Sequence, residues 1–196
     1  MNSLIGYHGT TQENANKILE EKHFKESTKD NEWLGRGVYF FAFRDSAAWW
    51  IQADRYRNQD TAILKVILKY NDEHFLELDD PAQLRQFNKI VKDITSRSKG
   101  VKNLYLKQKK NAKVWCFACD LIKQIDPDIG MIAYTFQHKD YYPDVRLCIN
   151  HRQICVSKHE IITDIQQEKN NQKVLNKDVL NKVNDILEIE GGGDIC

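Results

Sequence analysis

Apolar positions recur along this chain at helical and strand periods, and the changes of period mark its elements. Residues 11–24 put Ala15, Ile18 and Leu19 on one face, which predicts a helix. Thr10 or Thr11 can cap it, and Glu13 sits in the first turn, where the helix dipole favours negative charge. Residues 25–34 are polar and irregular. Residues 37–41 read as a short strand, and Asp45 stands where it would cap a helix running from Ser46 to about Arg57. The nearly continuous apolar run at 62–68 predicts a strand buried on both faces.

Beyond residues 75–78 the helical period takes over. Asp80-Pro81 is a helix start, with proline at the first helical position, and Leu84, Phe87, Ile90, Val91 and Ile94 follow at helical spacing. Val114, Trp115, Ala118, Leu121, Ile122 and Ile125 share the stripe of a second helix over 112–125. Strands are expected again at 132–136, 146–150, 153–156 and 161–165. Strands at both ends with helices between them predict an α+β domain over residues 1–166, with largely antiparallel pairing. Residues 167–196 are a separate extension rich in Asn, Lys, Gln and Asp. Within it Leu175, Val179, Val183 and Ile186 predict an amphipathic helix over 172–189. An isolated helix of that length is marginal in water, so its apolar stripe is expected to dock on its own domain, on a second copy or on an inhibitory partner.

Charge changes this picture little. Lys and Arg number 29 against 28 Asp and Glu, so net charge argues neither for nor against a nucleic-acid partner. The opening Met1-Asn2-Ser3-Leu4-Ile5-Gly6 has no basic or apolar signal region, and no uncharged apolar run approaches the ~18 residues of a membrane span, so no membrane association is expected. Five scattered cysteines read as reduced thiols and suggest a cytoplasmic setting. Cys116 and Cys119 form a single CxxC inside an apolar stripe, which fits core thiols rather than zinc, and no metal is expected. The basic stretch from Lys89 to Lys113, with Tyr105 interleaved, reads as a solvated face or as a cradle for a phosphate backbone.

The candidate chemistry lies in three short runs. Tyr7-His8-Gly9-Thr10 comes first, then Gly35-Arg36-Gly37-Val38-Tyr39-Phe40-Phe41, then Ala47-Ala48-Trp49-Trp50. A lone histidine before glycine fits a structural turn, and tyrosine is common in buried strands. Two glycines just before Tyr39 argue for close approach by a ligand or another backbone. In order and spacing the three runs resemble the NAD-binding half of ADP-ribosyltransferases, in the clade of poly(ADP-ribose) polymerases and diphtheria toxin. The resemblance covers roughly residues 5–165 and implies split antiparallel β-sheets flanked by helices. It implies that His8 bonds the adenosine-side ribose of NAD, and that the backbone at Gly9 pairs with the nicotinamide amide, with Thr10 and Gly37 beside them. Tyr39 and Trp50 would hold the nicotinamide ring between two aromatic faces, where an electron-poor ring gains stacking and cation–π stabilisation. Ala47 stands where the polymerases usually have a serine that bonds the carboxamide.

The family's catalytic glutamate opens a late strand. The matching run here is Asn150-His151-Arg152-Gln153-Ile154-Cys155-Val156, which puts Gln153 in that position. Glutamine keeps hydrogen-bonding capacity but brings no charge and cannot act as a general base. His151, two residues earlier, shares a strand face with Gln153 and titrates near neutrality, so it reads either as an aid to the attacking group or as a solvent-facing histidine. The expected activity is NAD-dependent mono-ADP-ribosyl transfer to a macromolecular acceptor (protein, RNA or DNA), as in an intracellular toxin or phage-defence effector. The alternatives are a non-catalytic NAD or ADP-ribose binding module and an RNA 2′-phosphotransferase of the same fold, against which the aromatic pair argues.

Overall fold

The computed structural model describes residues 1–30, 32–53, 56–97, 111–142, 147–168 and 182. Apart from Lys182, the helix expected over 172–189, the proposed docking segment, lies outside these residues, as do Tyr105 and most of the basic stretch.

The domain is α+β. Seven strands are named here in chain order: β1 (Asn2–Thr11), β2 (Val38–Phe41), β3 (Thr61–Tyr70), β4 (Phe75–Glu77), β5 (Met131–Tyr142), β6 (Leu147–Val156) and β7 (Ile162–Gln167). They pair in the order β4-β5-β6-β2-β1-β3-β7. Pairing is antiparallel except between β4 and β5. That exception follows from the connection, because a parallel pair needs a long crossover. Here the crossover carries the helices α3 (Pro81–Arg97) and α4 (Asn111–Ile125).

The strands form one hydrogen-bonded sheet, which corrects the expectation of separate split sheets. The sheet is nevertheless narrow at its middle. β1 and β3 share ten register pairs, from Asn2↔Tyr70 to Thr11↔Thr61, and β2 and β6 share four, whereas β1 and β2 meet at the single pair Tyr7↔Phe41. The halves β4-β5-β6-β2 and β1-β3-β7 are therefore joined at one register position and part beyond it.

Other differences have local causes. Tyr7-His8-Gly9-Thr10 is the interior of a ten-residue strand, not a turn. The helix α1 (Gln12–Glu21) starts at Thr11, whose Oγ1 accepts the Asn14 N–H at 3.2 Å, and stops at Lys22 in the left-handed conformation. This frees Phe24 to turn into the core. The helix α2 (Arg44–Trp50) is shorter than expected and has no side-chain cap, though Asp45 still lies in its first turn. Its end tightens as Gln52 N–H bonds Trp49 O and Ala53 N–H bonds Trp50 O. Asp80 does cap α3, accepting from the N–H groups of Ala82 and Gln83 at 2.9 and 2.8 Å. The two strands expected at 146–150 and 153–156 are one strand, β6. Its Arg152 stays in the ladder because Glu77 and Asp79 both pair with the guanidinium.

One sheet face carries Phe40, Leu64, Val66, Leu68, Met131, Ala133 and Ile154, all buried, against Ala15 and Ile18 of α1 and Phe24. Burying each large side chain contributes about 1.5–3 kcal/mol. On the opposite face, Leu34, Leu78, Ile132 and Cys155 pack against Phe87 of α3 and Ala118 and Cys119 of α4. The short α2 covers only the end of that face near Ile63 through Ala47. β3 is consequently buried on both faces only at residues 62–64, and Lys65 and Lys69 emerge further along.

Candidate functional site

A cavity of about 280 Å³ opens where β1 and β2 part. β1 contributes His8 and Gly9. The other side of the split contributes Gly37, Tyr39, Phe40 and Phe41. Trp50 from α2 and Tyr56 from the turn after it form another wall, and Gln153 reaches in from β6, opposite Phe41 in the ladder. Lys25, Ser27 and Glu32 come from the segment between α1 and β2. Six residues singled out in the sequence thus share one cavity: His8, Gly9, Gly37, Tyr39, Trp50 and Gln153.

His8 sits at the split itself. Its Nδ1 lies 2.8 Å from the carbonyl oxygen of Tyr39. A carbonyl only accepts, so Nδ1 carries the hydrogen. Phe24 and Phe40 meet the ring edge-on at 5.3 and 5.9 Å. Burial lowers the imidazole's pKa, against a smaller upward pull from the Tyr39 carbonyl. The neutral ring then keeps a lone pair on Nε2 and can accept a hydroxyl.

Gly9 owes its identity to α2. A Cβ built there would stand 2.7 Å from both the Ala47 carbonyl oxygen and Ile51 Cγ2. The strand backbone and the helix end thus touch at this point, and Ala47 is wholly buried beneath it. Glycine at position 9 therefore makes room for α2.

Tyr39 is fixed by two hydrogen bonds at its hydroxyl. Its hydroxyl donates to Gly35 O at 2.6 Å and accepts the Leu34 N–H at 3.0 Å. Burial, with the nearby Cys155 thiol, pushes its pKa far above the usual phenol value, so the group is neutral. The glycine loop it grips is braced from α4. Asp120 Oδ1 accepts the Arg36 N–H at 2.7 Å, and Lys123 Nζ donates to Leu34 O at 3.1 Å and Arg36 O at 2.7 Å. Gly35 adopts φ 83°, and a Cβ there would lie 2.4 Å from Asp120 Oδ1. These bracing residues escaped the sequence reading. The signal available was a pair of charges, Asp120 and Lys123, three apart near an apolar stripe.

The remaining candidates, Thr10 and His151, lie outside this cavity. Thr10 is buried and lines a neighbouring cavity of about 410 Å³ along α1, which shares His8, Lys25 and Ser27 with the first. His151 is on the Gln153 face, as alternation requires, but it is buried rather than solvent-facing. Its ring stacks on Trp49 with centroids 4.4 Å apart and meets Phe41 edge-on. Cys116, Cys119 and Cys155 are buried free thiols, and burial raises their pKa values, that of Cys116 to about 11. Among the described residues no group of three or more His, Cys, Asp or Glu side chains could hold a metal ion. Nor is any described helix long and apolar enough to cross a membrane.

No protein-family model matches this chain, and no solved structure matches it. A 45-residue segment is 47% identical to an uncharacterized protein of the archaeon Methanocaldococcus jannaschii. The match spans 23% of this chain and 21% of that protein.

Proposed function

We propose that this cavity binds NAD and that the protein is an NAD-dependent mono-ADP-ribosyltransferase with an ADP-ribosyltransferase-like fold. The observation that carries the reading is the shared cavity: His8, Tyr39, Trp50 and Gln153, spread over most of the chain, line one space at the parting of two half-sheets. About 280 Å³ lies near the lower end of small-molecule sites and suits the nicotinamide–ribose half of the dinucleotide. The adjoining cavity past His8 offers room for the other half, and Lys25, on the wall common to both, suits the diphosphate between them.

In this reading the nicotinamide ring lies beside Tyr39 and Trp50, and Trp is the strongest cation–π partner for a pyridinium. His8 Nε2 accepts a ribose hydroxyl, and the Gln153 amide bonds the reacting ribose. The bond from nicotinamide N1 to ribose C1′ breaks with its electron pair leaving on nicotinamide. A nucleophile on a macromolecular acceptor then adds to C1′ and releases its proton.

One observation favours a second reading, a non-catalytic NAD or ADP-ribose binding module: Gln153 brings no carboxylate to the cavity. Nicotinamide release from NAD by the purified chain separates the two. Release with transfer of label to lysate macromolecules supports the transferase, and binding without release supports the module. Protease and nuclease treatments of the labelled product identify the acceptor class. Tyr39→Ala should weaken NAD binding by about 1–3 kcal/mol, the scale of a lost aromatic contact.

A further inference from the structure

We propose that Glu32 supplies the negative charge that Gln153 lacks, facing the ribosyl cation formed when nicotinamide leaves. The inference rests on the NAD reading above.

Glu32 is the one carboxylate among the described residues lining the cavity. It lies in the segment between α1 and β2, and its side chain is partly buried. Its orientation is set from two directions. Ser27 Oγ donates to Glu32 Oε1 at 2.7 Å, while the Gly35 N–H donates to the Glu32 carbonyl at 3.3 Å. Ser27 is itself held by Gly37 through reciprocal backbone bonds of 2.8 and 3.2 Å. Among the described residues Glu32 takes part in no ion pair, and Lys25 shares the cavity lining with it.

The chemistry calls for such a group. As the N1–C1′ bond breaks, the formal positive charge passes from the pyridinium to the ribose C1′–O4′ unit, and nicotinamide departs neutral. A preorganised carboxylate in a partly dehydrated cavity stabilises that charge where it develops. Gln153 can orient the ribose but cannot provide this field. The incoming nucleophile adds at C1′ and gives up one proton, for which Glu32 is an acceptor.

A purely structural Glu32 would serve only to receive the Ser27 hydroxyl, and glutamine does that equally well. Glu32→Gln therefore removes the charge and keeps the bond. NAD binding by calorimetry and nicotinamide release are measured for the full chain, Glu32→Gln, Glu32→Asp and the double variant Glu32→Gln/Gln153→Glu. Glu32→Gln is expected to lower release about 10²-fold, the scale for removing one electrostatic stabiliser, with NAD affinity nearly unchanged. Glu32→Asp should fall between, and the double variant should recover much of the loss. Wild-type release undiminished by Glu32→Gln overturns the role of Glu32 alone. A low rate that Gln153→Glu leaves unrepaired assigns Glu32 to shaping the loop and also overturns it. A wild-type chain that binds no NAD, or binds without release, overturns the transferase reading and this inference with it.

Discussion

His8 Nδ1 and the Tyr39 carbonyl oxygen, 2.8 Å apart, tie the two half-sheets together just beyond their single register pair. Had β1 and β2 stayed paired, a backbone N–H would meet that carbonyl. The imidazole takes its place, and the gap it spans is the mouth of the cavity. His8→Ala leaves a partly buried carbonyl without its partner, a loss of about 1–3 kcal/mol. Urea denaturation reads the loss. A variant as stable as the wild type would mean that the bond contributes nothing to holding the split.

Acid should weaken the fold through histidines whose folded-state pKa values are lowered. Burial pulls down both His8 and His159, and for His159 the neighbouring His23, stacked at 4.0 Å, adds to the effect. Near and below the ordinary value of 6.5, the unfolded chain binds protons that the folded one refuses. Their contribution is therefore whole above 6.5 and is lost as pH falls toward the lowered values. The urea midpoint should hold between about pH 7 and 8 and decline below about 6.5, and His159→Gln should flatten part of that decline. A midpoint that rises on acidification across this window would contradict the assignment.

α1 and α3 were legible because each joins an apolar stripe to a boundary signal, as with Asp80-Pro81 before α3, and α4 from its stripe alone, whereas α2, expected from Ser46 to about Arg57, runs from Arg44 to Trp50. β1 was not, since Asn2, Ser3, Gly6 and Gly9 depress strand propensity, and what keeps it extended is ten register pairs with β3. Strand order is a property of long-range pairing, so the single sheet could not be read from local pattern. Six of the cavity residues were legible as a spaced set, and Lys25, Ser27, Glu32 and Tyr56 were not. The reason for Gly9 was not, because it depends on where the end of α2 comes to rest. Asp120 and Lys123 acquire meaning only once α4 lies against the glycine loop, and Glu32 only once Ser27 and Gly35 hold it at the cavity.

Gly9→Ala tests that contact. The added methyl would meet the Ala47 carbonyl and Ile51 Cγ2 at 2.7 Å, so α2 must move away from β1. Overpacking of this kind costs about 1–3 kcal/mol. Because Trp50 closes α2, the displacement should also weaken NAD binding. Calorimetry with NAD on the folded variant checks this, and unchanged stability and affinity together would mean that α2 is not seated as described.

Lys123 offers the sharpest contrast between a charge that organises the site and one that does not. Its side chain is 11% exposed and donates to the carbonyls of Leu34 and Arg36, with Asp120 at 3.9 Å. Lys158 lies 3.5 Å from Asp128 at the surface, with side chains 32% and 75% exposed. Lys123→Met strips donors from two loop carbonyls and leaves Asp120 with less compensation, a loss of about 2–4 kcal/mol given the strength of charge-assisted bonds. Lys158→Met removes a screened pair and should cost no more than about 1 kcal/mol. The loop that Lys123 braces leads directly into Gly37 and Tyr39, so its variant should lose NAD affinity as well as stability, while Lys158→Met should keep both. Equal effects from the two substitutions would show that the brace on the glycine loop has no special part in shaping the cavity.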